Sequence, residues 1–380
     1  MALLNNFERD ANRFAFGIML AIGALWGSSL LFHLKEVEEY THLNLFEINA
    51  HGQGQIYGWL GLAFMGASAR LLPDPFRFAQ PVLFLTLAGV LLNIFGLYLI
   101  PSQVTALLGG SCLAGAAALF AIDAFPKMSE QERGSPPFLQ TALFFFFLST
   151  LYSLWHHHRI LTLGEEKEIL KQVASFQAPL RDLQVHGMGL FFAIGLAATQ
   201  KNWKAWGLLL FGVLGEASLF LLYRITGNTA FAPFLLLPWL ALFLGALQIR
   251  FPFRRPSLWL NASLAMLLFL PFYSLLSKIP FSHAYYGAIR HAITVGCLSQ
   301  IVLRLIAAAN KPAPAFFHFL LLFNFGCFLR VALQIMTDFH PAAFALIPIS
   351  GIVEFLALLG AAKATLYSKA LQEEELKNLK

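Results

Sequence analysis

Runs of about 20 predominantly apolar residues recur along almost the whole chain, and each is long enough to cross a lipid bilayer as one helix. Only 12% of the residues are charged, about half the fraction of a soluble domain. This pattern predicts an all-α polytopic membrane protein whose 380 residues form a single transmembrane domain. Twelve runs qualify, with approximate bounds 14–34, 50–70, 79–100, 103–124, 138–157, 182–200, 204–223, 229–249, 257–277, 285–306, 314–336 and 342–366.

The distribution of lysine and arginine predicts the topology. Most of these residues fall in loops on the side where the N-terminus lies, so both termini are expected in the cytoplasm and the protein in the inner (plasma) membrane. Residues 367–380 are then a charged cytoplasmic tail. The longest connection is expected between Trp155 and Arg181. Because the basic residues lie in short loops, the lipid bilayer is the expected partner, and no nucleic acid is expected.

The histidines are distributed unevenly over this predicted topology. Ten of the eleven fall on the outer half, and only His318 lies toward the inner face. Those ten are His33, His42, His51, His156, His157, His158, His186, His283, His291 and His340. Of these, His51, His186 and His291 begin the second, sixth and tenth apolar runs, which all cross from outside to inside. Their side chains are therefore expected at similar depth, where they can converge on one metal ion or one macrocycle.

His51 and His291 form the strongest candidate pair. Low-spin heme iron takes axial ligands from opposite sides of the ring, so two histidines on separate helices suit it. Glycines at 52, 54 and 58 beside His51, and Ala292 and Gly296 beside His291, are expected to let a porphyrin approach the backbone. The alternative is close helix packing with each histidine hydrogen-bonded across an interface. The three cysteines form no C-x-x-C pair, so a heme would be held non-covalently.

His186 and the histidine triplet carry further alternatives. His186 begins a His-Gly-x-Gly pattern like that at His51, so it is a candidate ligand for a second heme or for copper, or else a duplicated packing feature. The triplet from His156 to His158 is a candidate site for copper or zinc, which imidazole suits, but a solvated helix end is the favoured interpretation, because adjacent residues on a helix do not share a face.

Charged residues inside the apolar runs complete the set of candidates. Arg290 and Arg330 lie near helix ends where they can pair with heme propionates, since a guanidinium binds carboxylates well. For Arg181, extension toward lipid headgroups is the favoured interpretation. Glu216 and Glu354 are predicted to be buried acids, which serve either a proton path or a hydrogen-bonded contact between helices.

Two segments resemble known families. The stretch from His51 to Pro73, which contains a Gly58-Trp59 pair, resembles the second helix of heme–copper oxidase catalytic subunits and nitric oxide reductases, where such a histidine ligates low-spin heme b. The stretch from Arg290 to Gly296 resembles the His-Ala-Leu-Thr-[Ile/Val]-Gly motif of the NnrS family. That family has twelve helices related in fold to the oxidase subunit, and it is described as heme- and copper-containing and linked to nitric oxide stress.

The resemblance implies a fold and a function. The fold would be an oxidase-subunit-like bundle of three four-helix arcs about a pseudo-threefold axis, with one b-type heme or two near the outer face, and copper as a further cofactor. The implied function is nitric oxide handling or electron transfer, with nitric oxide as gaseous ligand and a protein as electron donor. Whether the chain is an enzyme is left open. The alternative is a non-catalytic transporter or assembly factor for heme or copper.

Departures from the oxidase pattern limit the expected chemistry. The seventh run, at Gly212–Ser218, lacks the oxidase histidine pair, and His291 is not part of a His-x-His motif. Leu190 stands where oxidases carry a tyrosine or glutamate four residues after the histidine of the sixth helix. The Gly-His-Thr-Gly-Arg element of NnrS proteins is not found after Arg304. A complete oxygen-reducing heme–copper centre is therefore not expected.

Overall fold

The computed structural model describes residues 2–100, 102–128, 135–198, 201–279, 282–310 and 312–378, and all regular structure within them is helical. The α-helices are α1 (Ala2–Ile18), α2 (Trp26–Val37), α3 (Leu45–Gln53), α4 (Leu62–Leu71), α5 (Ala79–Ile94), α6 (Gln103–Met128), α7 (Pro136–Thr162), α8 (Glu166–Asp182), α9 (Leu190–Ala197), α10 (Trp203–Thr226), α11 (Leu236–Leu247), α12 (Arg254–Ser277), α13 (His283–His291), α14 (Gln300–Asn310), α15 (Phe316–Met336) and α16 (Ala343–Asn378).

Several of these helices are joined end to end by π-helical turns, so that two α-helices and the turn between them form one continuous helix, which we call a rod. The first rod is Ala2–Val37. The π turns are Met19–Leu25, Gly54–Gly61, Phe95–Leu99, Leu183–Gly189 and Ala292–Ser299. Two 3₁₀ turns, Tyr40–His42 and Thr229–Leu235, complete the helical structure. Because π turns inside α-helices are uncommon and concentrate at functional sites, their positions direct attention to the helices that carry them.

Among the described residues, ten helices are long and apolar enough to cross a membrane, so the prediction of a multi-pass bundle is confirmed in this coarser form. They are Phe7–Val37, Ala79–Leu99, Gln103–Met128, Pro136–Thr162, Trp203–Thr226, Ala230–Leu247, Arg254–Ser277, His283–Asn310, Phe316–Met336 and Ala343–Leu366. The predicted runs 50–70 and 182–200 are not among the ten, and residues 199 and 200 lie outside the described part of the chain.

Both of these segments are nevertheless helical and mostly buried. Leu45–Leu71 and Glu166–Ala197 are each a continuous helix with a π turn in its middle. Polar side chains such as Asn49, His51 and Gln53 lower the hydropathy of the first, and Asp182, Gln184 and His186 lower that of the second. Because these polar groups face other helices, both segments are less apolar than the ten spans.

Helical structure occupies most of the predicted long connection and includes the predicted tail. The predicted long connection between Trp155 and Arg181 is almost entirely helical, because α7 continues to Thr162 and α8 begins at Glu166. The tail predicted at 367–380 continues the last helix as far as Asn378, and its last two residues lie outside the described part. Both chain segments follow helical periodicity further than hydropathy alone indicates.

The three helices that contain His51, His186 and His291 meet at the centre of the bundle. The Trp59 indole donates a hydrogen bond of 2.9 Å to the Ser299 hydroxyl, which joins the second and tenth runs. The rings of Phe64 and Phe192 stack at 5.5 Å, which joins the second and sixth. In the span His283–Asn310, 72% of the most apolar window is buried, against 33–50% in the other nine spans. This helix therefore lies inside the bundle.

A shared local feature accompanies the π turns of these three helices. The widened turn brings the carbonyl of one residue close to the residue five positions later. A Cβ on Gly61 would lie 3.4 Å from the Ile56 carbonyl oxygen, and a Cβ on Gly189 would lie 3.4 Å from that of Gln184. In the third helix, the Ser299 hydroxyl donates to the Thr294 carbonyl at 2.8 Å. In each of the three turns, the residue five positions after the carbonyl is a glycine or a serine.

Candidate functional site

A cavity of about 320 Å³ opens between four helices near the start of these central rods. Its volume lies at the lower end of the roughly 300–1,000 Å³ range of small-molecule and cofactor pockets. It is lined by residues of α3, α8, α13 and α15 and of the adjoining π turns. The lining includes His51, Gln177, Arg181, Val185, Arg290, His291, Thr294, Arg330 and Gln334. The two histidines that the sequence paired therefore face one shared space.

His51 is held by a backbone carbonyl of the first rod. Its Nδ1 lies 2.8 Å from the carbonyl oxygen of Ile22, which can only accept, so Nδ1 carries the proton of this hydrogen bond. Ile22 lies within the π turn Met19–Leu25, where the intrahelical bonding pattern is altered. The bond orients the ring, and in the neutral imidazole it leaves Nε2 as the nitrogen with a free lone pair.

His291 is oriented by an acid on the last helix. Its Nε2 lies 2.8 Å from Glu354 Oε1, so this nitrogen donates and Nδ1 is left as the potential ligand atom. A histidine that ligates a metal ion through one ring nitrogen commonly donates the proton of its other ring nitrogen to a carboxylate. One ligand atom each from His291, Cys327 and Glu354 lies within 4.8 Å of the other two. His291 thus has the donor set for a metal ion as well as for a heme.

Three arginines give the cavity a positive charge. Arg181 donates to the neutral groups Gln184 and Asn49, at 2.8 and 3.3 Å. Arg290 lies 3.4 Å from Asp182, which neutralises it in part. Arg330 keeps a buried Nη1 that has no hydrogen-bond partner among the described residues. No aspartate or glutamate lines the cavity within the part of the chain that the structure describes. The lining therefore favours an anionic ligand.

The predicted position of Arg181 at lipid headgroups is wrong. Only 8% of Arg181 is exposed. Its guanidinium packs against Gly52, where an added Cβ would lie 2.5 Å from Arg181 Nη2. A Cβ on Gly54 or on Gly58 would likewise meet isoleucines of the first rod, Ile22 and Ile18. Gly54 and Gly58 therefore make room for side chains of a neighbouring helix, as the alternative of close helix packing predicts. Gly52 instead lines the cavity beside Arg181, so for this glycine the room for a porphyrin stays a prediction.

His186 does not join the other two histidines. It lies outside the cavity, 4% exposed, with Nδ1 2.7 Å from Glu216 Oε2 on α10. Glu216 also accepts from the Trp239 indole at 2.9 Å. Convergence of all three histidines on one metal ion or macrocycle is therefore not seen. Glu216 and Glu354 both make the interhelical hydrogen bond that was one of their two predicted roles, and each does so with a histidine.

The histidine triplet is largely buried, which contradicts its prediction as a solvated helix end. His156 is 0% exposed and His157 is 1% exposed, while His158 is half-buried. His156 Nε2 lies 2.9 Å from Gln177, and His157 lies 3.5 Å from Gln53. These contacts extend a buried polar network from α7 to the cavity wall. Sequence reasoning missed this role because α8, which covers the triplet, was predicted to belong to a connection.

The sequence also missed Asp182, although a signal was available. Asp182 and His186 are separated by four residues, so they share one face of a helix. An acid and a histidine on one face of a membrane-embedded helix are a recognisable functional pattern.

Comparisons with models of known protein families and with curated proteins found no match. The resemblance of the two histidine segments to known families therefore stays a prediction.

Proposed function

We propose that this chain is a heme-binding integral membrane protein, in which His51 and His291 ligate a b-type heme. The observation that carries the proposal is the shared cavity, where two histidines from separate helices face one space. Each has one ring nitrogen bonded to an oxygen acceptor, which leaves the other nitrogen available to iron.

The cavity electrostatics support the same ligand. Heme carries two propionates, and an arginine with an unpartnered Nη1 is the group that such a carboxylate requires. Arg330 and Arg290 would hold the propionates, and Arg181 would contribute positive charge from α8. When bound, the heme would supply reversible one-electron chemistry and an iron that binds small gaseous ligands. The residues of this chain would orient the ring and neutralise its acidic groups.

The wider setting rests on the resemblance to the NnrS family and to heme–copper oxidase subunits. We propose a twelve-helix bundle of three arcs, in which the predicted runs 50–70 and 182–200 cross the membrane with the ten apolar helices. The three central rods with matching π turns support this arrangement. The protein would lie in the inner (plasma) membrane, with both termini in the cytoplasm and the heme toward the outer face. The function would be nitric oxide handling or electron transfer from a donor protein.

A second candidate is a transporter or assembly factor that holds heme or copper transiently. The observation in its favour is the set His291, Cys327 and Glu354, whose imidazole and thiol suit copper. In that case the metal would bind weakly and exchange during purification. A heme that stays bound in stoichiometric amount through purification would contradict this second candidate.

The test is the spectrum of the full chain, expressed with ample heme supply and purified in detergent. We expect a b-type Soret band and a reduced α band in the wild type, and their loss in His51→Ala and in His291→Ala. His33→Ala is a suitable control, because the His33 side chain is 49% exposed and lies near Glu36. Wild-type protein without heme, or a His51→Ala variant with an unchanged spectrum, would refute the proposal.

A further inference from the structure

A second group of buried ligand atoms lies outside the cavity. Asp182 at the end of α8, His186 in the following π turn and Glu216 on α10 are 2%, 4% and 0% exposed. One ligand atom from each lies within 4.8 Å of the other two. Two ligands on one metal ion, each about 2.1 Å from it, are at most about 4.2 Å apart, so a small closing movement brings these three into range. This cluster does not depend on the proposed heme.

Two atoms of this cluster are buried and lack any hydrogen-bond partner among the described residues. They are His186 Nε2 and Asp182 Oδ2. His186 already donates from Nδ1 to Glu216, so its second nitrogen is either a free lone pair or an unpartnered N–H. Asp182 uses its other oxygen, Oδ1, to accept from Tyr286 at 3.2 Å and from Arg290 at 3.4 Å. Buried polar atoms are normally paired, so these two require an explanation.

The charges of the cluster point to a cation. Two carboxylates lie here, and among the residues that the structure describes, the permanent cation that contacts them is Arg290, at 3.4 Å from Asp182. The hydroxyl of Tyr286 and the indole of Trp239 donate hydrogen bonds but carry no charge. A buried carboxylate needs a compensating positive charge, and a metal ion that replaces the proton between His186 Nδ1 and Glu216 provides it and also satisfies the unpartnered oxygen of Asp182.

We propose that Asp182, His186 and Glu216 bind one divalent first-row metal ion of the series from Mn²⁺ to Zn²⁺. One imidazole with two carboxylates is a ligand set rich in hard oxygen donors, which suits these ions and disfavours monovalent copper. None of the three residues lines the cavity of His51 and His291. Val185 and Arg290 do line it, so the metal site lies directly behind the cavity wall.

The experiment uses the full chain in detergent, treated with a chelator and titrated with Mn²⁺ alone. Free Mn²⁺ is counted by electron paramagnetic resonance, and total metal by elemental analysis. We expect one bound ion per chain, displaced by Zn²⁺, and at least about tenfold weaker binding in Asp182→Asn and Glu216→Gln. Asp123→Asn is the matched control, because Asp123 is equally buried but is already paired with Lys127 at 2.9 Å.

A measurement on the wild type keeps the proposal testable if these variants fail to fold. Pulsed resonance of the bound Mn²⁺ should show the nitrogen modulation of one imidazole. His51→Ala should retain the Mn²⁺ while losing the proposed heme, so failure of one proposal is distinguishable from failure of the other. No bound Mn²⁺ in the wild type, no nitrogen modulation, or unchanged binding in both carboxamide variants would show that the cluster holds only a His186–Glu216 ion pair.

Discussion

Replacement of Arg330 by methionine should weaken heme binding and leave the heme-free fold nearly unchanged. Arg330 lines the cavity from α15, and its buried Nη1 makes no hydrogen bond to a described residue. The substitution therefore breaks no described hydrogen bond of this atom, and methionine retains much of the apolar stem. The variant removes the group that we assign to a heme propionate, together with the positive charge that acts on Glu354 from α15.

The size of the effect follows from the bond that the propionate would make. A hydrogen bond between a guanidinium and a carboxylate contributes about 1.5–3 kcal/mol. That range corresponds to a loss of about 10- to 150-fold in heme affinity, since 1.4 kcal/mol is about a factor of ten. Arg330→Lys should lose less, because an ammonium keeps the charge but not the planar fork of donors.

The assay is the transfer of heme from the purified protein to an excess of a heme-scavenging protein, followed at the Soret band. Arg304→Met is the matched control, because Arg304 also has a buried guanidinium nitrogen, Nε, without a described partner, but it stacks on Phe253 away from the cavity. Equal transfer rates for Arg330→Met, Arg304→Met and the wild type would refute the reasoning. So would a heme-free Arg330→Met protein that melts far below the wild type.

Two further predictions concern the central rods. Gly27→Ala should displace His51 and shift or weaken the heme spectrum, because the new Cβ would lie 2.9 Å from His51 Cε1, whereas Gly17→Ala, with nothing within 4 Å, should have no such effect. A Gly27→Ala spectrum identical to that of Gly17→Ala would contradict this. Trp59→Phe should lower the free energy of unfolding in detergent by about 1–3 kcal/mol, because it removes the hydrogen bond to Ser299. An unchanged denaturation midpoint would show that this bond is not needed.

The features that the sequence predicted well depend on one helix at a time. Apolar length is a property of a single segment, so the membrane bundle followed directly from it. The placement of His51 and His291 in one cavity, with Arg290 and Arg330 beside them, came from their similar positions along their helices. Similar positions on adjacent helices suffice to bring side chains together when the helices are packed side by side.

The features that the sequence missed depend on the packing of one helix against another. His156 and His157 are buried because α8 covers them, and nothing in the composition of either segment reveals that cover. Arg181 was placed at the lipid surface because an isolated helix would extend it there, whereas Asn49 and Gln184 hold it inside. Hydropathy also undervalues a helix such as Leu45–Leu71, whose polar side chains face its neighbours.

The π turns have a consequence for insertions and deletions in this chain. A π turn accommodates one more residue than the α-helical turn it replaces, and one residue corresponds to about 100° of rotation about the helix axis. Deletion of one residue from Gly54–Gly61 would let the rod close into a continuous α-helix. The part before the turn would then rotate relative to the part after it, and His51 would swing away from His291. The angular position of His51 is thus encoded by the number of residues that follow it, as well as by its own neighbours.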